Sequence, residues 1–156
     1  MKLVFAMLLL LILLCGCIGS MWTKDISTCS AFSDTVHAEH LLTRDVWLIK
    51  YKSDDTYSIA DLDDKVAKRP DGFTGKTISR VKIGAKLKID EVQLKKIYAG
   101  PIVVIAKGSL FMEESNKWIA FEYFWSHTTD IRRAPWEGDE TPLVRQLVIS
   151  ENYKCQ

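Results

Sequence analysis

The chain has 156 residues, and its 21 lysine and arginine residues are balanced by 20 aspartate and glutamate residues. This near-neutral charge argues against general nucleic-acid binding, which rests on many phosphate contacts made by Lys and Arg. The length corresponds to one domain that is large enough to bury its own hydrophobic core.

The first segment of the chain has the composition of a secretory signal peptide. Lys2 supplies a positive charge, and residues 3–14 form an unbroken apolar run. The run is shorter than the roughly 20 apolar residues that a membrane-spanning helix needs. It has the length that is typical of the central region of a signal peptide.

The end of this apolar run, Leu14-Cys15-Gly16-Cys17, resembles the lipobox of bacterial lipoproteins. The resemblance implies cleavage after Gly16 and lipidation of Cys17, and two or three acyl chains would make the anchor stable. The alternative is a pair of free thiols within a signal anchor. Ile18 follows in place of the Asp that retains Gram-negative lipoproteins at the inner membrane. For a Gram-negative source, this favours the periplasmic face of the outer membrane.

These features predict three segments of the chain and a disulfide between the two cysteines that lie outside the lipobox. We expect a signal peptide over 1–16, a lipidated tether over 17–25 and one periplasmic β-rich domain over 26–156. Cys29 and Cys155 would then lie in an oxidising compartment, where a disulfide between them is the leading interpretation. Two separate thiols are the alternative.

In the first half of the domain the sequence predicts a short helix followed by a strand. Phe32, Val36 and His40 have roughly helical spacing within residues 30–42. Alternation of large apolar residues then predicts a strand around 46–51. Residues 53–75 are polar and contain Pro and Gly turn signals.

The second half of the chain is rich in predicted strands. Residues 77–83 and 85–92 alternate, and residues 102–108 form a β-branched run. Residues 109–125 read as a hairpin with its bend at 114–117, and a loop over 127–141 leads to a last strand over 142–150. The pattern predicts a mainly β fold, as a small antiparallel barrel or sandwich with a short N-terminal helix.

Part of this region resembles a known family of small barrels. The stretches "VKIGAKLKIDEV", "GPIVVIAKGSL" and "KWIAFEYF", which fall within residues 77–125, are similar to the strand rhythm of bacterial SH3-like barrels. Members of that family mostly bind peptides or cell-wall material, so the resemblance implies a binding function.

Two groups of residues could carry chemistry, and neither is complete. Cys29 in "STCSAFSD" resembles the nucleophile region of papain-like cell-wall endopeptidases, but the partner His motif of that family is absent. Asp34, His37 and His40 could share a helix face, and two imidazoles with a carboxylate can bind zinc. Beyond the two histidines, however, no third firm ligand is identified. We therefore expect no catalytic residue, no metal site and no cofactor.

Aromatic residues give the strongest indication of a binding site. Six of them crowd the predicted hairpin and the loop after it: Trp118, Phe121, Tyr123, Phe124, Trp125 and Trp136. These are many rings for one small core, and exposed Trp and Tyr serve as binding anchors. We predict that some of Tyr123, Trp125 and Trp136 lie at a partner-binding surface. The alternative is that the N-terminal helix or the C-terminal segment covers them.

Together these features predict a lipid-anchored cell-envelope binding or assembly protein that is not an enzyme. The lipid would hold the domain at the membrane, and the aromatic hairpin and loop would engage a protein or a glycan. One alternative is a cell-wall hydrolase or a regulator of one. Another is a peptidoglycan tether whose basic strands meet acidic stem peptides.

Overall fold

The computed structural model describes residues 21–51, 55–63, 77–96, 100–127, 131–145 and 147. The predicted signal peptide, the lipidation site Cys17 and Cys155 lie outside these residues. The described part is mainly β, as predicted, and none of its residues belongs to a helix that could cross a membrane. The strands are β1 Trp22–Asp25, β2 Glu39–Leu41, β3 Val46–Lys50, β4 Tyr57–Asp61, β5 Thr77–Val81, β6 Lys86–Lys96, β7 Ile102–Met112, β8 Lys117–His127, β9 Ile131–Arg132 and β10 Val144–Arg145.

Three long antiparallel strands, β6, β7 and β8, form the centre of the sheet, and each has 11 residues. In β6 the apolar side chains of Leu87 and Ile89 are buried, whereas those of Lys86 and Lys88 are exposed. This alternation is the period of a half-buried strand. The β7–β8 bend contains Asn116 at φ 52°, in the left-handed region that Asn tolerates better than most residues.

The sheet continues beyond β8 through a parallel pair. β4 runs parallel to β8, β3 is antiparallel to β4, and β5 is antiparallel to β3. On the other side, β1 and β2 pair with opposite ends of β6. The strand order is therefore β1-β6-β7-β8-β4-β3-β5, with β2 beside β6.

A bend separates two strand pairs that follow each other along the chain, β2 with β6 and β3 with β5. Leu41 pairs with Lys86 and Val46 pairs with Val81, so the same register continues from one pair to the other. Gly84 occupies the bend at φ 87°, a backbone conformation that glycine adopts without a steric penalty. The sequence predicted a small antiparallel barrel or sandwich, and the sheet is not closed into a barrel.

The hydrophobic core contains buried side chains of the sheet and of the segment 26–36, which packs against them. Its largest fully buried side chains are Trp125, Phe32 and Phe121. The rings of Phe32 and Trp125 are in contact, with their centroids 5.1 Å apart. The segment before β2 is therefore part of the core.

The helix predicted over residues 30–42 is not formed, and this part of the prediction is wrong. The backbone makes isolated turns instead. The Phe32 N–H donates to the Cys29 carbonyl, and the Val36 N–H donates to the Phe32 carbonyl. At His37, φ is 65° and the N–H donates to the Ile89 carbonyl at 2.7 Å. The edge of β6 thus supplies hydrogen-bond partners that replace those of a helix.

The loop predicted over residues 127–141 also contains regular structure. Ile131 and Arg132 form β9, which pairs with Arg145 and Val144 of β10. Of the last strand predicted over 142–150, the described residues show only β10 as a strand. Residues 146 and 148–150 lie outside the described part.

Candidate functional site

The three aromatic residues predicted at a binding surface are buried in the core. The exposed fraction is 3% for Tyr123, 1% for Trp125 and 5% for Trp136. Trp136 packs edge-on against both other rings, at centroid distances of 5.2 Å from Tyr123 and 5.3 Å from Trp125. The Trp125 indole N–H donates to the Arg132 carbonyl at 2.7 Å. The sequence predicted that some of these rings lie at a partner-binding surface, but all three are buried because the segment after β9 folds back over β8.

A hydrogen-bond network around Arg44 holds that segment in place. The guanidinium donates to the carbonyls of Arg133 at 2.8 Å and Ala134 at 3.3 Å, and to Asp61 Oδ1 at 3.0 Å. Glu137 accepts from the Ala134 N–H at 2.6 Å and from the Arg145 guanidinium at 2.6 Å. Backbone groups of the segment are thus satisfied by side chains, as burial requires.

Two other aromatic residues of β8 are exposed, and they lie at opposite ends of the strand. Trp118 is 42% exposed and Phe124 is 54% exposed. Trp118 is directly opposite Phe111 on β7, and their ring centroids are 5.3 Å apart. The Lys88 ammonium lies 4.8 Å from the centroid of the Trp118 ring, within the range of a cation–π contact.

We call the patch formed by Leu41, Lys86, Lys88, Phe111 and Trp118 the Trp118 surface. Leu41 is exposed and is directly opposite Lys86, so both side chains lie on the outer face of the sheet. Glu39 lies between the two lysines, with carboxylate–ammonium distances of 3.7 and 3.9 Å. Such exposed ion pairs contribute little to stability. The Trp118 surface is thus a small aromatic patch with a charged rim.

A second surface feature lies at the other end of β8. Two adjoining cavities of about 360 and 500 Å³ share Asp61, Asp63 and Arg132 in their walls. Phe124 and His127 line one end, and Leu143 and Val144 line the other. We call this feature the charged groove.

The acidic and aromatic groups of the charged groove affect each other. The Tyr123 hydroxyl lies 3.4 Å from Asp61 Oδ2, which is a long hydrogen bond. Burial raises the pKa of the Tyr123 phenol well above its usual range, and the negative charge of Asp61 adds to the effect. Tyr123 is therefore neutral at physiological pH, and its hydroxyl donates a hydrogen bond to Asp61.

The residues that the sequence suggested for catalysis or metal binding do not form such a site. Cys29 is buried and disulfide-bonded, so its sulfur is not a free thiol. The described residues contain no other cysteine, and the pairing with Cys155 stays a prediction. His40 Nε2 contacts the Thr35 carbonyl at 2.7 Å. Within the described ranges, no group of three or more His, Cys, Asp and Glu residues could hold a metal ion.

Comparisons with known proteins find no match: no family model fits the chain, and no curated protein and no solved structure is significantly similar to it. The candidate sites are therefore judged on their geometry alone. Sequence reasoning missed the pairing of Phe111 with Trp118. The predicted bend at 114–117 would place residue 113 opposite 118, whereas in the structure Met112 pairs with Lys117, so the turn begins one residue earlier and Phe111 lies opposite Trp118.

Proposed function

We propose that the protein is a lipid-anchored cell-envelope binding or assembly protein that engages a protein partner through the Trp118 surface. The observation that carries this proposal is the exposed ring of Trp118, which is paired across the strands with the half-buried ring of Phe111. Trp is enriched among the residues that contribute most to protein–protein binding, and a polar rim commonly surrounds such anchors. Two long paired strands also give the rings a rigid support.

The position of Lys88 favours a protein over a glycan as the partner. A sugar that stacks on an indole needs the flat face of the ring. The Lys88 ammonium already lies over the Trp118 ring. Protein interfaces accommodate such a mixture of ring and ammonium, because neighbouring carboxylates of the partner can pair with the cation.

The predicted lipid at Cys17 supports the same role. At the periplasmic face of an outer membrane, an anchored domain meets partners in the same membrane at high effective concentration. A non-enzymatic role is favoured over a cell-wall hydrolase because Cys29, the nucleophile considered from the sequence, is disulfide-bonded.

Site-specific photocrosslinking tests the proposed surface in cells. A photoreactive residue at Ala120, which is exposed two positions after Trp118 on β8, should give a discrete protein adduct. The same residue at Asp90, which is exposed on β6, serves as the position control. Trp118→Ala in the Ala120-labelled protein should abolish the adduct.

Purified variants then test the energetic role of the ring. An anchor typically contributes about 2 kcal/mol or more, so Trp118→Ala should weaken binding to the crosslinked partner by roughly thirtyfold with little change in melting temperature. Phe124→Ala is the matched control, because Phe124 is also an exposed ring on the same strand. Unchanged partner binding by Trp118→Ala would contradict the proposal. Loss of binding to isolated peptidoglycan instead would indicate a glycan ligand.

A further inference from the structure

The charged groove has the size and position of a ligand site that is separate from the Trp118 surface. Its two adjoining cavities, of about 360 and 500 Å³, fall within the range of about 300–1,000 Å³ that is common for small-molecule sites. The groove borders the C-terminal end of β8, whereas Trp118 lies near the N-terminal end of that strand. The two features therefore lie toward opposite ends of β8.

Two charges of opposite sign face the groove and have no ion-pair partner among the described residues. The other charged side chains of the walls are paired, Arg44 with Asp61, Asp45 with Arg80 and Arg133 with Asp139. The exposed side chains of Asp63 and Arg132 both line the two cavities, and neither forms a salt bridge within the part of the chain that the structure describes. The groove thus presents one available carboxylate and one available guanidinium.

Exposed apolar side chains lie at both ends of the groove. Phe124 lines one end, and Leu143 and Val144 line the other. Val144 is directly opposite Arg132 in the β9–β10 pair, so an apolar side chain lies next to the available guanidinium. Apolar walls with a few convergent polar groups are typical of ligand sites.

We propose that the charged groove binds a short peptide through both of its termini. The peptide carboxylate pairs with Arg132, whose planar guanidinium suits bidentate contact with a carboxylate. The peptide ammonium pairs with Asp63. Apolar side chains of the peptide contact Phe124 at one end and Leu143 and Val144 at the other. The ligand class is therefore a zwitterionic peptide with small apolar side chains.

Three related probes test the requirement for both charges on the full chain purified in detergent. The probes are the dipeptide alanyl-leucine, its N-acetylated form, which keeps only the carboxylate, and its C-terminal amide, which keeps only the ammonium. Titration calorimetry should show saturable binding of alanyl-leucine. Each singly charged probe should bind about tenfold more weakly or worse, since a charged hydrogen bond contributes about 1.5–3 kcal/mol.

Two variants assign each charge to its residue. Arg132→Gln should weaken binding of alanyl-leucine by about tenfold or more and leave the weak binding of the amide unchanged. Asp63→Asn should have the complementary effect, with binding of the N-acetylated probe unchanged. Lys117→Gln and Asp90→Asn are matched controls, because both residues are exposed outside the groove.

The outcomes separate this inference from the proposed partner surface. Trp118→Ala should bind alanyl-leucine as tightly as the unmodified chain does. The inference is overturned if the unmodified chain shows no saturable binding of alanyl-leucine, or if the singly charged probes bind equally well. Wild-type affinity in both folded groove variants would also overturn it. The probe comparison on the unmodified chain decides the question even if a variant does not fold.

Discussion

Asp61 connects the end of β4 with the loop that covers the aromatic core. Its carboxylate accepts a hydrogen bond from Arg44, and Arg44 in turn donates to the backbone of the segment after β9. The same carboxylate lies beside the Tyr123 hydroxyl. One acidic residue therefore stabilises both the loop position and the neutral form of a buried phenol.

The raised pKa of Tyr123 predicts a specific loss of stability at alkaline pH. Burial, followed by the charge of Asp61, makes the folded state hold the phenolic proton more tightly than the unfolded chain, where the pKa is about 10. The resulting stabilisation is complete below pH 10 and is lost as pH rises above that value. Denaturation at increasing pH should therefore show a steep alkaline decline that Tyr123→Phe reduces.

Tyr57→Phe provides the control for this effect, because Tyr57 is only half-buried. It should leave the alkaline decline unchanged. Ultraviolet absorbance of tyrosinate should also show one group that titrates only as the protein unfolds, and Tyr123→Phe should remove it. Titration of Tyr123 near pH 10 in the folded protein would contradict the prediction.

At the scale of single elements, sequence patterns predicted the long strands well. Alternation along β6 and the apolar run of β7 are local signals, and the bend before β8 follows from its turn residues. The helix predicted before β2 is not formed. Phe32 and Val36 have helical spacing, but they pack into the core from a segment of isolated turns. There the edge of β6 supplies hydrogen bonds that the local sequence does not reveal.

The aromatic residues show a second limit of local patterns. Alternation along a strand places Tyr123 and Trp125 on one face, and both are buried in the structure, but the sequence does not show what covers that face. Trp136 packs against both rings, and Arg44, which is distant in the chain, holds the covering segment through a hydrogen bond to the Arg133 carbonyl. Such long-range packing also brings Asp63 and Arg132 to one groove, which their spacing in the sequence could not indicate.

Gly108 in β7 gives a prediction about the central strands. It is paired with Ile89, next to a register shift in β6, and a Cβ at this position would lie 1.9 Å from the Lys88 carbonyl oxygen. Because the obstacle is backbone, Gly108→Ala should force β6 and β7 apart. Overpacking typically costs about 1–3 kcal/mol, so the urea midpoint should fall accordingly.

Ser109→Ala is the control for the glycine substitution, because Ser109 is half-buried in the same strand. It should change the urea midpoint much less than Gly108→Ala does. Equal stability of Gly108→Ala and the unmodified protein would show that the two strands do not approach as closely as described.

On the scale of the whole molecule, lipidation of Cys17 is the prediction that would place both proposed surfaces at a membrane. If the cell cleaves after Gly16, replacing Cys17 by Ser should leave an unacylated precursor with slower migration and no lipid label. Cys15→Ser is the matched control, because this residue would be removed with the signal peptide and its loss should leave labelling intact. Lipid labelling of the Cys17→Ser variant would disprove the anchor.

The disulfide prediction is coupled to that of the anchor. Cys29 is disulfide-bonded, and the other cysteines of the chain are Cys15, Cys17 and Cys155. Cleavage would remove Cys15 and lipidation would occupy Cys17, which leaves Cys155 as the partner. Peptide mapping without reductant should therefore recover residues 29 and 155 in one linked fragment. In the loop-entropy model, such a bridge would stabilise the folded protein by up to about 4–5 kcal/mol.

Replacing Cys155 by Ser separates the possible pairings. If Cys155 is the partner, the variant should lose stability, and Cys29 should react with an alkylating reagent once the protein is unfolded. If Cys29 stays protected in this variant, its partner is another cysteine. A linked fragment of residues 17 and 29 would then contradict both predictions, because a Cys17 sulfur in a disulfide cannot carry a lipid.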